Sequence, residues 1–305
     1  MKTGLVLGSG ASRGWAHIGI IHALEDLGIK IDIVAGCSIG AYVGAAYASN
    51  NLDKLTEWAE SLTEWQVVSL LGLGIKRGSL VSGNKVFQAL SENFSEQTFE
   101  QLSKPLAVVA TDLYSGREVA FTSGPIEPAV RASCAIPALF PPQLHENRWL
   151  IDGAVVNPVP VNLCRRLGAD FVIAVNLRAD FRPEIHEKFK EEHENNQRKT
   201  NDFFAKSQEF VQQWFSGEDK ADGQPFDKSG LASPGIFSVI SNSLDILQAR
   251  VTRSRLAGEP PDVLIEPQLR DFGIMEFYRA EELIDEGRKS VQRIAEQIKY
   301  QLRLE

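Results

Sequence analysis

Cysteine is scarce in this chain. Its 305 residues hold three, Cys37, Cys134 and Cys164, odd in number and far apart. Such a set gives neither a disulfide framework nor a metal-ligand pattern, and it fits a reducing compartment, so a cytoplasmic location is expected. Positive charge is also in deficit. The formal net charge of −8 argues against a nucleic-acid partner, because phosphate recognition needs a basic surface. Long apolar runs are missing. Residues 67–75 form the longest exposed-looking apolar stretch, far too short to span a bilayer. No signal-peptide core precedes the apolar run that begins at Gly4. What remains is ordinary globular composition, 43% hydrophobic and 24% charged, enough for one large core or two modest ones.

Strand and helix patterns alternate through the first 180 residues. Residues 4–7, 31–35, 106–111, 118–121, 149–151 and 171–176 read as strands. Residues 15–27, 39–49, 53–64, 84–92 and 161–167 read as helices, the first ended by Gly28 and the fourth capped by Ser82. This is the pattern of an α/β sheet with helices on both faces. After Asp180 the character changes. Residues 181–232 are rich in Glu, Lys, Asn and Gln and read as a charged insertion or lid within a single domain of residues 1–305. Order returns with a helix over 237–256, a strand in "PPDVLIEP" and a long final helix over 276–302.

Two glycine motifs carry the chemistry. "GLVLGSGASRGWAH", residues 4–17, resembles a dinucleotide fingerprint, but its third glycine comes one position late, at Gly14, with Arg13 in its place. Small residues here let backbone N–H groups converge on an anion at a helix N-terminus. A dinucleotide fold needs an acidic ribose ligand roughly 20 residues past that loop; this chain has "GCSIG" instead, Gly36 to Gly40. Gly-x-Ser-x-Gly between a strand and a helix is a nucleophile elbow, with Ser38 exposed on a tight turn. The bland alternative is a small-residue turn that permits close helix packing. The topology departs from an α/β hydrolase, since only two strands precede Ser38 and no well-placed histidine follows. His17, His22 and His145 come too early, and His186 and His193 lie in the charged insertion. "WLIDGAVVNPVP", residues 149–160, offers a carboxylate base. Asp152 follows an apolar strand, and burial would raise its pKa toward that of a useful base. Taken alone, it also reads as a turn or capping Asp.

Taken together, "GSGASRGWAHIG", "GCSIGA", "RASCAIPALFPP" and "DGAVVNPVP" resemble the patatin-like phospholipases, in particular the compact bacterial members related to the catalytic domain of neuropathy target esterase. The resemblance implies a three-layer α/β/α sandwich with a central, mostly parallel sheet. It implies a serine esterase or lipid acyl hydrolase with Ser38 as nucleophile and Asp152 as general base and acid. It also makes the glycine loop an oxyanion hole of Gly8, Gly10, Ala11, Arg13 and Gly14, with backbone donors around Gly10 and Ala11. Gly36 and Gly40 shape the elbow. Arg13 orients the loop or draws a phosphate headgroup; a salt bridge that fixes the loop is the plain alternative. Ser9, Ala11 and Cys37 depart from common family residues without removing a backbone N–H. The implied partner is a lipid or ester substrate, with no metal and no cofactor. The competing readings are a non-catalytic lipid-binding or regulatory module of the same fold and, less well supported, a nucleotide-binding protein. Residues 201–215, "NDFFAKSQEFVQQWF", place Phe203, Phe204, Phe210, Val211, Trp214 and Phe215 on one helical stripe. They read as a packed helix or as a lid that makes a weak peripheral contact with membrane through apolar insertion.

Overall fold

The computed structural model describes residues 1–71, 73–76, 79–81, 83–180 and 236–304. The chain divides into two compact units, Met1–Asp180 with Leu244–Glu305, and Phe181–Ser243. The elements in order are β1 (Thr3–Leu7), α1 (Ala16–Asp26), β2 (Ile33–Cys37), α2 (Ile39–Ala48), α3 (Leu52–Glu60), α4 (Glu64–Leu71), β3 (Leu73–Lys76), β4 (Ser79–Val81) and α5 (Asn84–Ala89). They continue with β5 (Leu106–Asp112), β6 (Glu118–Phe121), α6 (Ile126–Ser133), β7 (Gln143–His145), β8 (Arg148–Asp152), α7 (Val161–Arg166) and β9 (Phe171–Val175). The last are α8 (Ile236–Gly258), β10 (Val263–Ile265), α9 (Ala280–Gln292) and α10 (Ala295–Leu302).

Eight strands form the central sheet, in the order β10-β9-β1-β2-β5-β8-β7, with β6 also on β5. The pairs β1–β2, β1–β9, β9–β10 and β2–β5 are parallel. The antiparallel pairs gather at one side of the sheet, β5–β6, β5–β8 and β7–β8. Strand side chains alternate between two apolar layers, as the pleat requires. Leu5, Leu7, Val34, Val108 and Ala110 join the layer under α1 and α2. Val6, Ile33, Ala35, Cys37, Val109 and Val172 join the layer under α7. A sheet buried on both faces needs near-continuous apolar strands, and β1, β2 and β9 are buried at every position. The result is the expected α/β/α sandwich around a mixed, mostly parallel sheet.

Helix ends show where local sequence overrides the broad pattern. Gly28, with φ 76°, follows the end of α1 as expected. The helix expected over 53–64 stops at Glu60, and a new one starts at Glu64. There Thr63 N–H and Oγ1 donate to Gln66 Oε1, a capping arrangement that begins a helix. Residues 67–71 of the apolar stretch belong to this second helix. Gly83, with φ 61°, precedes α5; Ser82, expected as its cap, lies outside the described residues. The final helix expected over 276–302 starts at Ala280 and is broken between Gln292 and Ala295. Glu276 is instead engaged in a turn, where it accepts from Gly273 N–H and pairs with Arg279. The face α9 buries, through Ala280, Leu283, Ile284, Gly287 and Val291, follows the spacing of an amphipathic helix. Among the described residues no helix is long and apolar enough to cross a membrane. The expected insertion at 181–232, with His186, His193 and the aromatic stripe of 201–215, lies outside the described residues.

Candidate active site

Strand β5 brings two distant residues together. Its first part pairs with β2, ending at the Cys37–Val109 register. The next residue, Ala110, pairs with Asp152 at the end of β8. Both partners lie on the same side of β5, because β6 occupies the other side across residues 108–111. Asp152 therefore takes the place next to the residue that follows Cys37, which is Ser38.

Ser38 stands between β2 and α2 with φ 56° and ψ −124°. This is a sparsely populated conformation for a non-glycine residue, costing about 1–3 kcal/mol. The surrounding backbone is packed to hold it. A side chain at Gly40 would overlap the Leu7 carbonyl, and one at Gly36 would meet the Gly40 oxygen at 2.5 Å. Ser38 N–H donates to Ser133 Oγ at 2.8 Å, and Ser38 C=O accepts from Ala41 and Tyr42 N–H to begin α2. Ser133 is a functional-site support that the sequence reading missed.

The Ser38 hydroxyl donates to Asp152 Oδ2 at 2.7 Å. Asp152 Oδ1 accepts from Ala154 N–H at 2.8 Å. The Asp152 backbone is fixed on both sides, its N–H to Ala135 C=O and its C=O to Thr111 Oγ1. Both Ser38 and Asp152 are buried, with 3% and 2% of their surface exposed. The exposure expected of Ser38 on the elbow is not found, because its hydroxyl lies against Asp152 and its other side lines the apolar pocket. Burial pushes the Asp152 pKa up to about 6, against the opposing pull of Ala154 N–H, the Ser38 hydroxyl and the Arg178 charge. The turn after Asp152 is braced in its turn. Glu118 accepts from the amides of Asn157 and Asn162, and Arg255 Nε donates to Val156 C=O. Among the described residues no histidine bonds Ser38 or Asp152. His17 is fully buried and donates from Nε2 to Gly8 C=O at 2.8 Å. Burial holds its pKa at about 4, so it is a neutral brace for the glycine loop.

The glycine loop lies beside Ser38, and Ala11 and Ser38 line one pocket. Gly8 N–H donates to Val175 C=O and Ser9 N–H to Pro158 C=O, which fixes the loop to β9 and to the segment after Asp152. Among the described residues the N–H groups of Gly10 and Ala11 donate to no carbonyl. Ala11 has φ 52°. Arg13 Nε donates to Phe272 C=O at 2.9 Å, and Gly14 lies against Ile39, the first residue of α2. Gly8, Arg13 and Gly14 thus shape the loop, while Gly10 and Ala11 leave donors open.

Residues 272–277 complete the loop's setting, and no motif pointed to them. Ser12 Oγ donates to Gly273 C=O at 2.6 Å and Trp15 Nε1 to Phe277 C=O at 3.1 Å. Ser12 N–H donates to Ile274 C=O. The pocket in front of Ser38 has walls that include Trp15, Tyr42, Trp58, Phe87, Phe140 and Phe277. Its apolar, aromatic lining suits a hydrocarbon chain. Among the described residues no group of three His, Cys, Asp or Glu side chains is arranged to hold a metal ion.

The profile of the patatin-like phospholipase family matches residues 5–165, from β1 into α7, and so includes both Ser38 and Asp152. An uncharacterized NTE family protein of Mycobacterium bovis is 33% identical over an alignment of 324 residues, covering 94% of this chain and 89% of that protein. Neuropathy target esterase sws of Drosophila melanogaster is 33% identical over 181 residues, 57% of this chain and 13% of the far longer fly protein. Patatin-like phospholipase domain-containing protein 7 of Rattus norvegicus is 34% identical over 180 residues, with the same shares of 57% and 13%.

Proposed function

The chain belongs to the patatin-like phospholipase family, and on that premise we propose that it hydrolyses carboxylic esters of phospholipids, lysophospholipids or related lipids. Ser38 is the nucleophile and Asp152 the general base. The observation that carries this reading is the 2.7 Å hydrogen bond from Ser38 Oγ to Asp152 Oδ2. A serine hydroxyl is a weak nucleophile until a base takes its proton. Asp152, with its pKa raised to about 6, is ionised near neutrality and basic enough to accept that proton as Oγ attacks the ester carbonyl.

The attack forms the Oγ–C bond and moves the carbonyl π pair onto oxygen. In this reading the open N–H groups of Gly10 and Ala11 stabilise that developing charge, and one such donor is worth about 3 kcal/mol in the transition state. Collapse expels the alcohol, which takes the proton from Asp152. Water then attacks the acyl-enzyme with Asp152 again as base, releasing the fatty acid and restoring Ser38. The apolar pocket, which Ser38 helps to line, holds the acyl chain.

A fluorophosphonate probe tests the assignment. Ser38 should be the labelled residue in the wild type, and the Ser38→Ala protein, shown to be folded by circular dichroism, should neither label nor hydrolyse p-nitrophenyl esters. Undiminished labelling of that variant would move the nucleophile elsewhere. An unlabelled wild type without esterase activity would favour a non-catalytic lipid-binding protein of the same fold.

A further inference from the structure

One short loop touches both the glycine turn and the pocket. The carbonyls of Phe272, Gly273, Ile274 and Phe277 accept four hydrogen bonds, from Arg13, Ser12 (side chain and N–H) and Trp15. The donors begin immediately after Ala11, whose N–H is open. The side chains of Met275 and Phe277, from the same loop, line the pocket together with Ser38. Trp15 belongs to both sets, since its indole N–H bonds the loop and its ring meets Phe277 edge-on at 5.9 Å.

The loop is braced as a unit. Gly273 N–H donates to Glu276 Oε2, and Arg279 bonds both that oxygen and Asp271 C=O. The Arg279 guanidinium lies over the Phe272 ring at 4.1 Å. A segment braced in this way transmits a displacement of its pocket face to its hydrogen-bonded face.

We propose that residues 272–277 act as an acyl-chain gauge. A chain long enough to press on Met275 and Phe277 seats the loop, and the loop seats Ser12 and the neighbouring open N–H of Ala11 against the reacting oxygen. Contact energy from a remote part of the substrate is then used at the oxyanion, where it raises kcat and not affinity alone. Met275 suits the role, because a flexible thioether adapts to a sliding hydrocarbon. The gauge rests on the serine-hydrolase reading and adds to it a preference for long acyl chains expressed in turnover. Ser12 is a positioning residue in this scheme, acting through the loop and not on the substrate.

The test is a series of p-nitrophenyl esters from acetate to decanoate, with kcat and KM measured separately on the full chain. The wild type should gain about tenfold or more in kcat from the shortest to the longest ester, the rate equivalent of about one hydrogen bond. Ser12→Ala, which removes the bond to Gly273, should shrink that ratio toward one, and Ser12→Thr should restore part of it. Met275→Ala should also flatten kcat along the series, which keeps the test open if Ser12→Ala does not fold. A flat wild-type kcat with falling KM would overturn the gauge, as would an unchanged ratio in the folded Ser12→Ala protein. Acetate hydrolysis and Ser38 labelling report the underlying reading independently. If both are present and kcat is flat, only the gauge fails; if both are absent, both readings fail.

Discussion

The elbow around Ser38 and the glycine loop of residues 8–15 sit side by side, yet their restraints come from different distances along the chain. The elbow's strained backbone is confined chiefly by Gly36, Gly40 and the Leu7–Gly8 backbone, within about thirty residues of Ser38 in a parallel strand–turn–helix unit, with one distant restraint, the bond from Ser38 N–H to Ser133 Oγ. The glycine loop is tied to Val175, Pro158 and residues 272–277. A nucleophile needs one sharp local conformation, which local sequence can specify. A set of open donors needs a loop kept from satisfying its own N–H groups, and that takes partners from elsewhere in the fold.

The sharpest way to separate the two regions is to remove the proposed base and leave both backbones intact. Asp152→Asn should lower kcat/KM by about a thousandfold or more, in the upper range for loss of a general base, as measured on a p-nitrophenyl ester. A folded variant that keeps most of its activity would show that another group accepts the Ser38 proton. Next comes the point where the regions touch. Gly40→Ala puts a methyl group into the Leu7 carbonyl and should cost about 3 kcal/mol of stability, with activity falling alongside, read by urea unfolding. A variant of wild-type stability would mean that the elbow and glycine loop are less tightly fitted than their backbones suggest.

A third prediction concerns protons. On the proposed mechanism ionised Asp152 is the active form, so kcat/KM should fall about tenfold per pH unit below about 6. Stability should respond with the opposite sense. Between about 3.9, the unfolded value, and about 6, the native protein holds a proton that the unfolded chain has released. The wild type should therefore lose stability relative to Asp152→Asn as pH rises through that window. An acid limb near 4, without this stability trend, would argue for a solvated carboxylate. The smallest expected effect is that of His17→Gln. His17 braces Gly8 and stays neutral down to about pH 4, so its loss should reduce turnover only a few-fold while costing about 1–3 kcal/mol for the unpaired carbonyl. A loss as deep as that of Asp152→Asn would make the histidine part of the chemistry.

The same contrast explains what could be read in the sequence. The α/β alternation, the end of α1 at Gly28 and the placement of Ser38 after an apolar strand were legible because each depends on neighbours in the chain. The proximity of Asp152 to Ser38 came from the family resemblance; residue by residue, a turn or capping aspartate was the favoured reading. Ser133, Asn157 and residues 272–277 were not legible, since a serine, an asparagine and a Phe-Gly turn carry no local mark of the partner they meet up to 262 residues away. The break between α3 and α4 was missed for a different reason. Thr63 and Gln66 form a capping signal inside a charged, helix-compatible run, and apolar periodicity outweighed it.

The seven residues of β5 act on the site much as a reading frame acts on a message. Residues 106–109 index β2, and residues 110–112 index β8, so the strand's length sets the phase between Ser38 and Asp152. Because side chains alternate, a single inserted or deleted residue would turn the Asp152 carboxylate to the opposite face of the sheet. Apolar exchanges along β5 would alter packing by degrees, whereas a change in its count would part Ser38 from Asp152 in one step. The length of β5 is therefore a stricter requirement on the geometry of the site than the identity of any of its buried side chains.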